Sequence, residues 1–364
     1  MVLSILATLL RRVHREQRGQ VLWLTAFLIS VLGGMTAIAV DIGGLSAHRR
    51  DLQNDADAIA LAASLELPNE TNTRAKANEW AGKNGVDPAQ MTVTIIHQNP
   101  PTEPNPKVRV ELEDGHDFTF ARLIGISSGT VAAKAAAIKS SASGGENVVP
   151  LGVTQNTLLG VGLGDEVVLR YDFSDSTNGN TGPIRIDGGG VGNCSTSNAF
   201  CDGVMYGSEN VVCAEGVDSG YCDGPTTADT QPGNLIGAMR DSIDYRLDHT
   251  DAECDEFTEV FEDDPTTAEP DVWRIVEECN PYLVGGYDSL RVIILPIIDG
   301  FCNGSCEVTI VDFGLFFLDG FASGGCTGND CEVIGRFVLV NQNVGMLAGT
   351  FNPEAMNSFV RLVE

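Results

Sequence analysis

The residues best equipped for chemistry are ten cysteines, one isolated histidine and a run of carboxylates. All ten cysteines lie in the second part of the chain: Cys194, Cys201, Cys213, Cys222, Cys254, Cys279, Cys302, Cys306, Cys326 and Cys331. A thiolate metal site needs regular pairs of the CxxC kind with imidazoles nearby. Here the gaps are irregular, and His249 is the only histidine in this half. An even number of cysteines beyond an export segment points to disulfides, because that compartment is oxidising. Spacing alone does not fix the pairing. Joining sequence neighbours is the simplest guess, which leaves Cys254 with Cys279.

The other chemical signals are weaker. His249 sits between Asp248 and Thr250, with Asp251 close by, and reads as a solvated surface residue rather than a catalytic base. From Asp244 to Asp271 there are twelve carboxylates and one arginine. This reads as a solvated acidic face. Ca2+ is the one cofactor it admits, since that ion takes several oxygen ligands, but EF-hand spacing is absent. No Gly-Lys-Ser or Gly-Lys-Thr phosphate loop occurs. A net charge of −28 repels phosphate, which argues against nucleic acid as a partner. With no nucleophile–base pair in view, the chain reads as a non-enzyme with no evident small-molecule substrate.

The elements that must position these residues begin with a membrane segment. Val21 to Val40 carries no charge, and Asp41 closes the run. Twenty helical residues span roughly 30 Å, the thickness of a bilayer's hydrocarbon core. Arg11, Arg12, Arg15 and Arg18 precede the run, whereas Arg49 and Arg50 follow it among Asp41, Asp51, Asp55 and Asp57. That asymmetry places the N-terminus in the cytoplasm and the rest outside, as a single-pass protein of the bacterial cytoplasmic membrane. Ala37-Ile38-Ala39 has the form a signal peptidase accepts, but the apolar run is longer than a signal h-region of about 7–15 residues. The helix also continues. Leu45, Leu52, Ala56, Ile59, Ala63 and Leu67 keep one face apolar until Pro68, so a stalk follows the span.

Composition divides the chain. Residues 1–144 hold 14 Lys+Arg and 14 Asp+Glu; the rest hold 8 Arg, no Lys and 36 Asp+Glu, so the whole net charge lies there. The expected fold class is α+β: a transmembrane helix, a stalk with a small α+β domain, then a larger, mainly-β, disulfide-rich domain. The corresponding segments are 1–20 (cytoplasmic, basic), 21–40 (transmembrane), 41–140 (stalk and small domain), 141–147 (a linker of small residues) and 148–364 (acidic and Cys-rich). In the small domain the pattern predicts a helix over 74–83, strands over 91–97 and 107–113, a helical turn with Phe120, Leu123 and Ile124, and a strand over 130–139, where the many alanines leave a helix open. In the large domain it predicts strands over 148–153, 166–172, 291–298, 306–318 and 332–340. A helix there carries Leu235, Met239, Ile243 and Leu247.

Arg18-Gly19-Gln20-Val21, the span ending in Ala39-Val40-Asp41-Ile42-Gly43, and Arg49-Arg50-Asp51-Leu52-Gln53-Asn54-Asp55-Ala56-Asp57-Ala58 with Ala60-Leu61-Ala62-Ala63 resemble the TadE/TadG-like family of Flp (tight adherence) pilus-assembly proteins. The resemblance covers about residues 15–65, and a weaker likeness runs from Phe120 through Gly125-Ile126 to the 131–137 strand. The membrane helix running into an amphipathic one has the shape of a pilin stalk. After Gly19 come Gln20, Val21, Leu22, Trp23 and Leu24, without the Glu that marks processed pilin-like members, so the unprocessed TadG-like branch fits better.

The resemblance implies a membrane-anchored, extracytoplasmic assembly or structural component. Its partners would be the membrane and other pilus-assembly or pilin-like proteins, met through the stalk helix. The alternative is a surface adhesin or binding protein, stabilised by Ca2+. TadG-like members often carry a domain with a DxSxS metal site, which makes Asp172, Ser174 and Ser176 the metal candidates. The Asn- and Gly-rich stretch after them replaces the helix such a site needs, so a polar turn without metal is the preferred reading.

Overall fold

The computed structural model describes residues 17–363, apart from residues 101, 159–160, 173, 176–178, 187–193, 195–198, 216–221, 232, 267–270, 283–288, 341–343, 354 and 356. The fold is α+β, with a long apolar N-terminal helix, shorter helices and extensive sheet. The chain forms two compact units. The first takes the described part of residues 1–58 with 81–92 and 110–135; the second takes 59–80, 93–109 and 136–364.

Helix α1 (Gln17–Ser64) is continuous over 48 residues, about 70 Å at 1.5 Å per residue. It stops three residues short of Leu67, because Leu67 N–H bonds back to Ser64 C=O at 3.2 Å in a tightened last turn. Helix α2 (Glu70–Lys83) begins four residues before the expected Arg74. Asn69 explains the difference: its side-chain oxygen accepts the Asn72 N–H at 3.1 Å and caps the helix. Strands β1 (Met91–Ile96), β2 (Lys107–Asp117) and β3 (Ser128–Gly145) follow as sheet neighbours in that order.

Strand β3 corrects the expected linker over 141–147. Residues 141–145 are buried sheet, and only Glu146 and Asn147 lie exposed. Their small side chains serve close approach rather than flexibility. A Cβ on Gly144 would stand 2.5 Å from Cys222 Sγ and 2.6 Å from the Val212 carbonyl oxygen. Gly144 pairs with Cys213 of β7 (Val212–Cys213) on one side and with Leu347 of β14 (Met346–Ala348) on the other. Farther back, residues 137–141 of β3 pair with β15 (Ser358–Leu362).

Among the described residues the second sheet has nine strands, in mostly antiparallel pairings, and includes β4 (Leu151–Thr154), β8 (Thr227–Thr230) and β10 (Val272–Ile275). Its centre is β11 (Val292–Ile298) against β12 (Glu307–Thr327), with β13 (Asp330–Val340) on β12 and β5 (Glu166–Asp172) on β13. The consecutive apolar residues of β11 serve two cores. Val292, Ile294 and Ile298 join Phe313 and Phe317 on one face, whereas Ile293, Leu295 and Ile297 join Phe316 and Phe337 on the other. That is the alternation of a strand covered on both faces. A helix at Ile236–His249 closes the second core with Met239 and Ile243. Five disulfides join sequence neighbours: Cys194–Cys201, Cys213–Cys222, Cys254–Cys279, Cys302–Cys306 and Cys326–Cys331.

Candidate functional site

Helix α1 carries the most distinctive surface. Its span residues are uncovered, with Trp23 79% exposed, and the helix is long and apolar enough to cross a membrane. Its hydroxyls suit such a setting. Thr25 donates to Val21 C=O at 2.7 Å, Ser30 to Ala26 C=O at 2.8 Å, and Thr36 to Leu32 C=O at 2.8 Å. Each polar group is thus satisfied within the helix, as a hydrocarbon solvent requires.

Past the span, the exposure changes. Leu45 is half-buried, and Leu52, Ala56, Ile59, Ala63 and Leu67 are buried. From Leu52 onward the stripe is therefore covered inside the chain. Within the first unit, Gln53 Nε2 donates to Lys134 C=O at 2.8 Å, tying α1 to β3. Within the second, the buried Lys139 Nζ donates to Leu65 C=O at 2.8 Å. The opposite side of α1, including Ile42, Ser46, Arg49, Arg50 and Asn54, stays exposed.

Asp41 marks the foot of the stalk and has a role that its position after the span did not reveal. It is buried, and its carboxylate accepts the N–H groups of Thr119 (2.9 Å), Phe120 (3.1 Å) and Ala121 (2.6 Å). Those are the orphan donors at the start of the 3-10 turn Ala121–Ile124. A carboxylate at that end satisfies them and sits favourably against the turn's dipole. Above it, His48 Nε2 lies 3.0 Å from an Asp114 carboxylate oxygen, and the His48 and His116 rings are 5.3 Å apart.

The candidate metal residues are arranged as a turn. Asp172 Oδ1 accepts the Ser174 hydroxyl at 2.5 Å, the Ser174 N–H at 2.9 Å and the Asp175 N–H at 3.3 Å. The Ser174 hydroxyl bond, with the two N–H groups and Arg170, outweighs burial and holds the Asp172 carboxyl below its ordinary range. Ser176 lies outside the described residues. The next element after Asn180 is strand β6 (Thr181–Arg185) rather than a helix. Among the described residues no cluster of three His, Cys, Asp or Glu is placed to hold a metal ion.

The acidic run from Asp244 is spread over the end of one helix, a loop, the short helix Phe257–Val260 and strand β9 (Phe261–Asp263). Its single arginine does not neutralise that surface. Arg246 is buried, with Nε donating to Val204 C=O and Nη1 to Leu290 C=O at 2.7 Å. Burial lowers its pKa to about 10, so it stays charged at neutral pH. His249 stacks on Tyr245 with ring centres 3.9 Å apart and bonds through Nδ1 to the Tyr245 carbonyl at 2.8 Å. A cleft of about 520 Å3 lies among Thr154, Asn156, Val167, Asn180, Asp299 and Phe301. Sequence patterns had no means of finding it, because its lining comes from four separated segments.

Comparison with curated proteins and with solved structures gives no match. The model of the Tad family, described as Flp pilus-assembly TadE/G-like, matches residues 19–75, so the resemblance read in the span and stalk is shown for the N-terminal region of this chain.

Proposed function

We propose that this protein is a membrane-anchored, extracytoplasmic assembly or structural component of a Tad/Flp-like pilus or surface-adhesion apparatus. The observation that carries the reading is the TadE/G-like match over residues 19–75, which coincides with the uncovered apolar helix and the stalk beyond it. In this reading residues 21–40 span the cytoplasmic membrane once, with the arginine-rich N-terminus inside. The acidic, disulfide-bonded body is then displayed outside. Because the Leu52–Ile59 stripe is buried, partner pilins or assembly proteins meet the bare span and the exposed side of α1 around Ser46, Arg50 and Asn54. The reading assigns no catalytic step.

Gene deletion with complementation tests it. Loss of the protein should abolish surface pili or attachment, and the full chain should restore them. A chain lacking residues 1–40 but carrying a cleavable export signal should not. Normal pili and normal attachment in the deletion strain would reject the proposal. Normal pili with lost attachment would favour the adhesin alternative.

A further inference from the structure

We infer that the turn over residues 118–127 is a second membrane contact, which inserts its apolar tip into the bilayer interface beside the point where α1 emerges. The inference rests on reading residues 21–40 as membrane-spanning. Leu123 is 84% exposed, Ile124 79%, Ile126 51% and Phe120 40%. Four large apolar side chains within seven residues form a concentrated patch, whereas among the described residues the remaining exposed ones outside α1 are Val168, Tyr206, Leu362 and Val363. Patches of this kind are usually covered in the working state.

The geometry says what covers this one. Strand β2 runs down α1 toward the span: Asp114 meets His48, then His116 packs on Gly44, and then Thr119, Phe120 and Ala121 bond Asp41. Three successive contacts step from residue 48 to 44 to 41 on the helix. The turn is thereby pinned at the residue that closes the uncharged run. Leu123 lies two residues past Ala121, hence within about 7 Å of that level. The last exposed large apolar side chain of α1 is Ile42, next to the Asp41 that holds the turn. A bilayer covering one reaches the other.

The chemistry of the turn suits an interface. From residue 118 to 130 the sole charge is Arg122, in a protein with 50 acidic residues. Arg122 pairs with Asp117 at 3.4 Å, and its long stem lets the guanidinium stay at headgroup level. Asp41 spends its charge on three backbone donors. Gly125, at φ 93°, closes the turn in the left-handed region that glycine adopts freely.

Tryptophan fluorescence of the full chain reconstituted in phosphatidylcholine vesicles tests this. The emission lost on Trp23→Phe reports the span, because Trp80 and Trp273 are common to both chains. The second reporter is Leu123→Trp combined with Trp23→Phe, read against Trp23→Phe alone. Lipids brominated along the acyl chain should quench Trp23. Lipids brominated close to the headgroup should quench most of the added emission from Leu123→Trp, and aqueous iodide should quench little of it. Ile124→Trp, whose site is equally exposed, provides the same reading if Leu123→Trp lowers the melting temperature. Quenching of Trp23 together with an added signal open to iodide and untouched by brominated lipid would overturn the inference and leave the span intact. An added signal shielded from both quenchers means protein cover and overturns it too. An unquenched Trp23 would defeat the span reading and the inference with it.

Discussion

At Asp172 a carboxylate is occupied by its own turn. The Ser174 hydroxyl and two backbone N–H groups take the oxygen that a DxSxS metal site would offer. Because the folded-state pKa lies below the ordinary value, the charged carboxylate contributes stability above that value. The contribution is lost as pH falls through the folded pKa. Asp172→Asn should therefore melt lower than the unsubstituted protein at neutral pH, with a gap that holds above about pH 5 and narrows toward about pH 3. Parallel melting curves from pH 7 to 3 would check this, since the other carboxylates titrate equally in both chains. A gap independent of pH would assign the effect to shape rather than charge.

Among the elements, β3 is one where small residues decide the packing. Gly144 lies between two neighbouring strands, with no room for a Cβ against Cys222 and the Val212 carbonyl. Gly144→Ala should cost about 1–3 kcal/mol through overpacking. Gly237, in the helix at Ile236–His249, has nothing within 4 Å of a built Cβ. Gly237→Ala should leave stability unchanged or raise it by up to about 1 kcal/mol, from helix propensity alone. Denaturant melts of the two variants decide between sheet and linker. Equal tolerance at both positions would mean that residues 141–145 are not packed.

For the molecule as a whole, charge and cross-links oppose one another. Residues 145–364 hold 36 carboxylates against 8 arginines, one of which is buried. Self-repulsion of that magnitude weakens the compact state, whereas the five disulfides limit the unfolded chain. Sodium chloride should raise the melting temperature, because at about 0.1 M the Debye length falls to roughly 10 Å. Calcium chloride at matched ionic strength should add nothing further if the acidic face is simply solvated. Differential scanning calorimetry in the two salts checks both statements, and a separate calcium shift would return weight to the Ca2+-stabilised binding alternative.

What the sequence determined alone is what depends on local order along the chain. Hydropathy over Val21–Val40 and the four-residue rhythm through Leu67 specify a long helix with one face to bury. The unbroken apolar run of β11 specifies a strand covered on both sides, and cysteine parity with export specifies disulfides. The family likeness is legible for the same reason, since it lies in one continuous stretch. Tertiary structure decided what depends on distant partners. Ser140–Gly145 has the composition of a flexible linker, and only the approach of β7 and β14 makes it a close-packed strand. Asp41 reads as the end of a span until the amides of residues 119–121, about eighty positions later, are brought to its carboxylate. The stripe from Leu52 to Leu67 had to be covered by something. Whether by this chain or by a partner was open, because an apolar face specifies that it must be buried and leaves its cover to the fold.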